Sequence, residues 1–329
     1  MKNKFVFRVI QALAFVGCMT SALAQQLSVP DAGLSAAIRD ALRKPNGPLT
    51  EQDLLSLTNL DASSRNISSL DGLEAARNLV SLNLLRNQLT SVIVPASMTN
   101  LNSLFIQKNI LTNLVLSPAL FHLAQLDVSE NGLTSFSLPA GLTNLSGLFL
   151  RGNQLTNVTL PADLIHLESL DLGGNPLTNL TLPSGLTNLS ALDLTGDQLT
   201  SLTLPPDMTQ LTSLLSPLSF DGNSLTTLVL SEPLAATNLA ESVATLQTQG
   251  VSVFTYPLTI QLSLPRRTED GEFHFAVVGP PGVYAVLGSV DLAVWNELAV
   301  MTNTLGFARF DDAASPLSPQ KFYLAHSVP

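Results

Sequence analysis

Residues 145–166 read LSGLFLRGNQLTNVTLPADLIH. In Leu148-Phe149-Leu150 two leucines flank an outward residue, the period of two that marks a strand with one buried face. Val158-Thr159-Leu160 repeats the alternation across the unit. Pro161 keeps that strand from continuing, and Leu164 drops back toward the core. The same 22-residue pattern, close to LxxLxLxxNxLTxLxLPxxLTx, begins at Leu57, Leu79, Leu101, Leu123, Leu145, Leu167, Leu189 and Leu211. The eighth unit carries about four extra residues near Leu215–Pro217, and Leu218, Phe220, Asn223 and Leu225 resume the pattern. One unit cannot bury its own apolar edge, so neighbours must stack into a solenoid. At about 4.8 Å per strand, eight coils make a slab on the order of 40 Å long.

Asn87, Asn109, Asn131, Asn153, Asn175 and Asn223 share one repeat position, with Arg65 in the first unit and Asp197 in the seventh. An inward amide there meets backbone groups that adjacent coils cannot pair otherwise. The series Thr90, Thr112, Thr134, Thr156, Thr178, Thr200 and Thr226 is structural on the same grounds. A solenoid exposes apolar faces at both ends, and both need caps. Residues 25–56 supply one. Asp31 is placed to cap a helix through Leu34, Ile38 and Leu42, Pro45-Asn46-Gly47-Pro48 breaks it, and Thr50 with Asp53 opens a second short helix. The repeats run over 57–236. Residues 237–256 form the other cap, a helix through Leu239, Val243 and Leu246 ended by Gly250, then a strand Val251–Phe254.

The LxxLxLxxNxL segment resembles the defining strand and turn of the leucine-rich repeat family, and residues 30–56 resemble the N-terminal cap of secreted bacterial, internalin-like repeat proteins. That resemblance implies parallel strands on a concave face and a recognition role.

After Tyr256-Pro257 the period disappears. Residues 257–329 read as short strands at Leu258–Leu262, Phe273–Val278, Val283–Gly288, Phe307–Phe310 and Phe322–Ala325, with turns at Glu269-Asp270-Gly271 and Gly279-Pro280-Pro281-Gly282. The expectation is a small antiparallel β-sandwich. Gly282, Tyr284, Ser289, Asp291, Leu292, Trp295, Asp311, Phe322 and Tyr323 resemble a C-terminal module found on many secreted bacterial proteins. The last motif there usually reads Phe-Tyr-Arg-Ala, and Leu324 replaces its Arg. Two readings of the module stand: attachment or sorting at the cell surface, or a passive β-domain with Trp295 in its core.

Residues 1–24 read as a secretory signal peptide: Lys2, Lys4 and Arg8, then the apolar run Val9–Val16, then Ala22-Leu23-Ala24. Cleavage there starts the mature chain at Gln25. The alternative is lipid anchoring at Cys18, the single cysteine. The 329-residue chain carries 15 Lys+Arg against 25 Asp+Glu, a net charge of −10; without the leader's three cations, 12 stand against 25, or −13. That balance argues against general nucleic-acid binding. No further stretch reaches the roughly 20 apolar residues of a membrane span. One cysteine excludes a disulfide framework. The chain reads as a monomer.

The sequence has no phosphate loop, nucleophile elbow or HExxH, so no catalytic residue, cofactor or metal is assigned. His122 and His166 share a polar turn position. Along the eight units, the outward residue between the strand leucines is Asp61, Asn83, Phe105, Asp127, Phe149, Asp171, Asp193 and Ser219. Asp171 and Asp193 fall on neighbouring strands about 5 Å apart. Such a pair can hold Ca²⁺ or raise one pKa; the plainer reading is a solvated acidic ladder. Phe105 and Phe149 are the better clue, because large apolar residues stand where Asp and Ser would do. Arg151 shares a face with Phe149, and Arg86 and Lys108 lie nearby. Aromatic and arginine clusters are common interface anchors. The expected ligand-binding face therefore comprises Phe105, Phe149, Arg151, Asp127, Asp171, Asp193, Arg86 and Lys108. The leading functional reading is an exported, non-enzymatic module that binds a protein or glycan on the concave face. A structural or adhesive spacer is the alternative, and a hydrolase using the concave carboxylates a remote one.

Overall fold

A computed structural model describes residues 27–214, 224–269, 271–313 and 320–328. The expected leader, Cys18, the extra residues near Leu215–Pro217 and Asn223 lie outside the described residues.

The repeats form a leucine-rich repeat solenoid. Asn59–Asp61, Ser81–Asn83, Ser103–Phe105, Gln125–Asp127, Gly147–Phe149, Ser169–Asp171, Ala191–Asp193 and Ser213–Leu214 make one eight-stranded parallel sheet, here called the long sheet. Neighbouring strands pair 22 residues apart, Leu148 with Leu126 and Leu170. The central leucines from Leu60 to Leu192 are each at most 2% exposed. The opposite side carries shorter parallel ladders: Ser91–Ile93 with Asn113–Val115, Ser135–Ser137 with Asn157–Thr159, and Ser201–Thr203 with Thr227–Ser231 and Ser252–Tyr256. The second strand expected at Val158–Leu160 begins one residue earlier, with Leu160 buried behind it.

Five successive turns are closed by an asparagine at one repeat position. The Asn153 amide Nδ2 donates to Leu150 O in its own turn and Val128 O in the preceding one, at 2.8 and 3.1 Å, while its Oδ1 accepts from Leu133 N. Asn87, Asn109, Asn131 and Asn175 make the corresponding bonds. The position before the asparagine is left-handed in every described turn. Ser64, Arg86, Lys108 and Glu130 hold φ between 53° and 60°, and Gly152, Gly174 and Gly196 take over from there.

Asp197 departs from this ladder. It is fully buried, and Oδ1 accepts from Asn175 N at 2.8 Å. Oδ2, which replaces the donating amide, has no hydrogen-bond partner. Burial pushes its pKa up to about 8; Asp193 and Asp171 push the same way, against the Asn175 N–H and Arg151.

The N-terminal end is closed by α1 (Ala32–Leu42) and α2 (Glu51–Leu55). Asp31 caps α1 through Leu34 N, and its second oxygen accepts from Ser68 N, tying the helix start to the first repeat. Thr50 and Asp53 complete a capping box on α2. At the other end the expected single helix is two, α3 (Glu232–Ala236) and α4 (Ala240–Thr248). The last five residues assigned to the eighth repeat thus form a helix, because Glu232-Pro233 supplies a favoured helical first turn. Leu34 and Leu246 belong to one continuous core.

Beyond Tyr256, two three-stranded antiparallel sheets form the sandwich. Gln261–Arg267, Phe273–Val278 and Phe307–Asp312 make one; Asn296–Asn303, Gly282–Ser289 and Phe322–Val328 make the other. Their core is Phe275, Val277 and Phe310 against Tyr284 and Val286. Trp295 is not in it; it is half-buried in the connection before Asn296. The strand expected at Leu258–Leu262 is shifted to Gln261–Arg267, where a bulge places Leu264 at φ 53°. Asn296–Asn303 was not expected, since its polar and apolar residues alternate irregularly. Tyr256 joins the two parts: its hydroxyl donates to Leu204 O at 2.7 Å, and a Cβ on Gly306 of the sandwich would lie 2.8 Å from Tyr256 Cβ.

Two outcomes follow from this architecture. Asp197 binds its proton more tightly folded than unfolded, where a carboxyl titrates near pH ~3.9. Its contribution to stability is therefore greatest below pH ~4, declines as the pH rises to about 8, then stays level. Asp197→Asn restores the missing donors and removes the titration, so its melting-temperature advantage over wild type should grow from pH 4 to pH 8. A constant difference across that range contradicts the assignment. Secondly, residues 257–329 own a separate core and should fold when expressed alone, giving a dispersed amide NMR spectrum; a collapsed one makes Tyr256 and the solenoid part of that fold.

Candidate recognition face

The long sheet sets the outward residues in a single row. Asn83, Phe105, Asp127, Phe149, Asp171 and Asp193 are consecutive register partners, so neighbours stand about 4.8 Å apart. Leu104, Ile106, Leu148 and Leu150 are buried behind them. Phe105 and Phe149 project from the opposite side of the strand and are half-buried rather than free. Gly147 explains the lean of one ring: a Cβ there would lie 2.9 Å from Phe149 Cε2 and would also strike Gln125 Oε1.

The carboxylates serve the turn and the surface at once. Asp127 accepts from Ser129 N at 2.9 Å, Asp171 from Gly173 N at 3.0 Å and Asp193 from Thr195 N at 2.8 Å, each through Oδ1. Asp193 gives its second oxygen to Arg151 Nη1 at 3.1 Å, and the same nitrogen donates to Thr195 Oγ1. Arg151 therefore reaches across one whole repeat. Gly173 makes room, since a Cβ there would sit 2.8 Å from Arg151 Nη1. Among the described residues, the second oxygens of Asp127 and Asp171 make no hydrogen bond. Burial raises the pKa of Asp171, with the charges of Asp193 and Asp127 adding to the rise, while the Gly173 N–H and Arg151 hold it down.

Phe149, Arg151, Asp171 and Asp193 are thus one contiguous group, with Phe105 and Asp127 continuing the row. Arg86 and Lys108 are not in the row; both are exposed at the left-handed turn position, and Lys108 pairs with Glu130 at 3.3 Å. His166 Nδ1 donates to Thr143 O at 2.8 Å, a turn role shared with Asn144 and Asn188. Among the described residues, no group of three or more His, Cys, Asp or Glu is arranged to hold a metal ion, and no helix is long and apolar enough to cross a membrane.

Single-repeat reasoning missed Gly173 and Thr195, which position Arg151, and it missed a longer period. Units 101–122 and 145–166 share Phe at the fifth place and His at the last. Units 123–144 and 167–188 share Leu-Asp at the strand and Gly-Leu-Thr-Asn at the end. Across these four units the chemistry thus recurs after 44 residues, while Asp61 and Asp193 end the phenylalanine series on either side. The structure uses the doubling: Gly141 and Gly185 take φ of 99° and 100°, and Asp163 and Asp207 one turn later accept their N–H groups.

No known family profile and no curated protein matches the chain. Among solved structures it is similar to the functional domain of InlJ from Listeria monocytogenes, at 22% identity over 70% of this chain and 57% of that one, with a TM-score of 0.49. It is similar to the Listeria monocytogenes internalin-like protein lmo2027, at 20% identity over 91% and 90% of the two chains and a TM-score of 0.43. It is also similar to YopM from Yersinia enterocolitica, at 30% identity over 56% of this chain and 38% of that one, with a TM-score of 0.38.

Arg151→Gln removes the cation beside the acid pair. The Asp171 titration, followed by its carboxyl carbon NMR shift, should then move to still higher pH, because a positive neighbour favours the ionised form. An unmoved titration would show that Arg151 does not act on Asp171.

Proposed function

We propose that this chain is an exported, non-enzymatic recognition module that binds a protein or glycan across its long sheet. The observation that carries the reading is the row itself. Two aromatic rings alternate with carboxylates on a sheet whose next outward positions are Ser81, Ser103, Gln125, Gly147, Ser169 and Ala191, small everywhere except at Gln125 between the two rings. A passive solenoid face has no need of rings at Phe105 and Phe149, and aromatic anchors are where binding energy concentrates. The export reading rests on the charged, apolar and Ala-x-Ala order of residues 1–24.

The test uses the mature chain as bait against whole-cell surface extracts, beside a Phe105→Ala/Phe149→Ala variant as matched bait. Half-buried rings contribute only modestly to folding, so the variant should keep a near-native urea midpoint and lose about 2 kcal/mol of affinity for the captured partner, roughly 30-fold. Equal capture by both baits removes the rings from the binding face.

A further inference from the structure

The 44-residue recurrence sets a ruler on the long sheet. Phe105 and Phe149 are two strands apart, with Asp127 between them and Asp171 beyond. Two strand spacings are about 9.6 Å. A ligand that meets both rings equivalently must therefore repeat its face at that interval. A polyproline II helix does so: three residues per turn at ~3.1 Å rise bring the same face round every ~9.3 Å. An extended β-peptide covers a similar distance in three residues, but its side chains alternate, so positions i and i+3 point to opposite sides. An α-helix returns its face after seven residues, about 10.5 Å, and drifts by nearly 1 Å at each step.

The chemistry of the row narrows the ligand further. Asp127 and Asp171 each have one oxygen already engaged by the backbone and one that makes no bond among the described residues. Two of the nearby cations are paired, Arg151 with Asp193 and Lys108 with Glu130, and Arg86 stands outside the row at the turn. The row offers rings and acceptors, and the chain as a whole carries a net charge of −10. A hydroxyl-rich glycan wants donors and acceptors together. A lysine or arginine side chain wants what is here: a ring face for its aliphatic stem and a carboxylate for its head.

We propose that the partner is an extended, proline-rich basic peptide lying across the strands in polyproline II conformation, one turn for every two repeats. This rests on the long sheet being the recognition face. Aromatic-lined grooves take such helices because little conformational entropy is lost on docking.

The experiment titrates the mature protein with a labelled synthetic peptide of repeated Pro-Pro-Lys triplets, long enough to span four strands, and reads fluorescence anisotropy. A Gly-Gly-Lys peptide of equal charge and β-linked glucan oligomers serve as comparisons. The expected result is saturable binding to Pro-Pro-Lys that weakens with added salt. It should fall about 30-fold in Phe105→Ala/Phe149→Ala, and the flexible Gly-Gly-Lys peptide should bind about tenfold more weakly, since it must be ordered on docking. Asp127→Asn/Asp171→Asn should also weaken binding while keeping the wild-type circular dichroism. Equal binding of the two peptides reduces the effect to charge and overturns the proposal. So does binding of the glucan oligomers in place of the peptide. If neither probe binds while the phenylalanine variant still fails to capture the cell-surface partner, the recognition face stands and the polyproline reading falls. If Pro-Pro-Lys binds the phenylalanine variant as tightly as wild type, the face is wrong as well.

Discussion

The interaction on which the rest of the structure depends is a buried side-chain amide donating to two main-chain carbonyls, one in its own turn and one in the turn before. Asn87, Asn109, Asn131, Asn153 and Asn175 repeat it coil after coil. A buried carbonyl without a donor costs about as much as a lost hydrogen bond. The amide therefore locks the spacing of adjacent coils as well as closing each turn. With that spacing set, the leucines of the long sheet fall into register and the core is continuous from α1 to α4. Asp197 shows the dependence by exception. The same position without its donor holds a carboxyl with an orphaned oxygen, and the protein keeps it by retaining the proton.

Register converts a sequence period into a surface. Because each strand pairs with one 22 residues away, whatever stands between the buried leucines is carried into one row. The row is crowded, and the glycines near it are explained by what their neighbours need. Gly147 accommodates the Phe149 ring, and Gly173 lets Arg151 pass to Asp193 and Thr195. Arginine spends its charge inside the row, leaving the unbridged carboxylates Asp127 and Asp171 beside the rings. The electrostatic character of the face is thus set by one long side chain crossing one small residue.

The two ends are solved differently. At the start, Asp31 is shared between the first turn of α1 and the backbone of Ser68, so the cap is fastened by a charge-assisted bond as well as by apolar burial. At the finish, α3 and α4 cover the last coil, and the strand Ser252–Tyr256 joins the final ladder before the chain leaves for the sandwich. Tyr256 is buried there with its hydroxyl paired, and the left-handed Gly306 lies against it.

What the sequence determined by itself is everything that follows from period. Strand alternation and the 22-residue spacing assign each leucine to the core, each asparagine to the turn, and Phe105, Asp127, Phe149, Asp171 and Asp193 to one outward row, because parallel pairing maps equal repeat positions onto each other. Capping residues such as Asp31 and the Thr50–Asp53 box are legible for a related reason: their partners are three residues away. What only the tertiary structure decided depends on reach and on neighbours distant in sequence. Arg151 stays half exposed, and its guanidinium crosses Gly173 to Asp193. Lys108 and Arg86 share the turn but not the row: they stand three residues past Phe105 and Asn83, exposed at a left-handed position. Trp295 stays out of the sandwich core, which Phe275, Phe310 and Tyr284 already fill. In each case the deciding quantity is the space left by other side chains, which a repeat pattern does not encode.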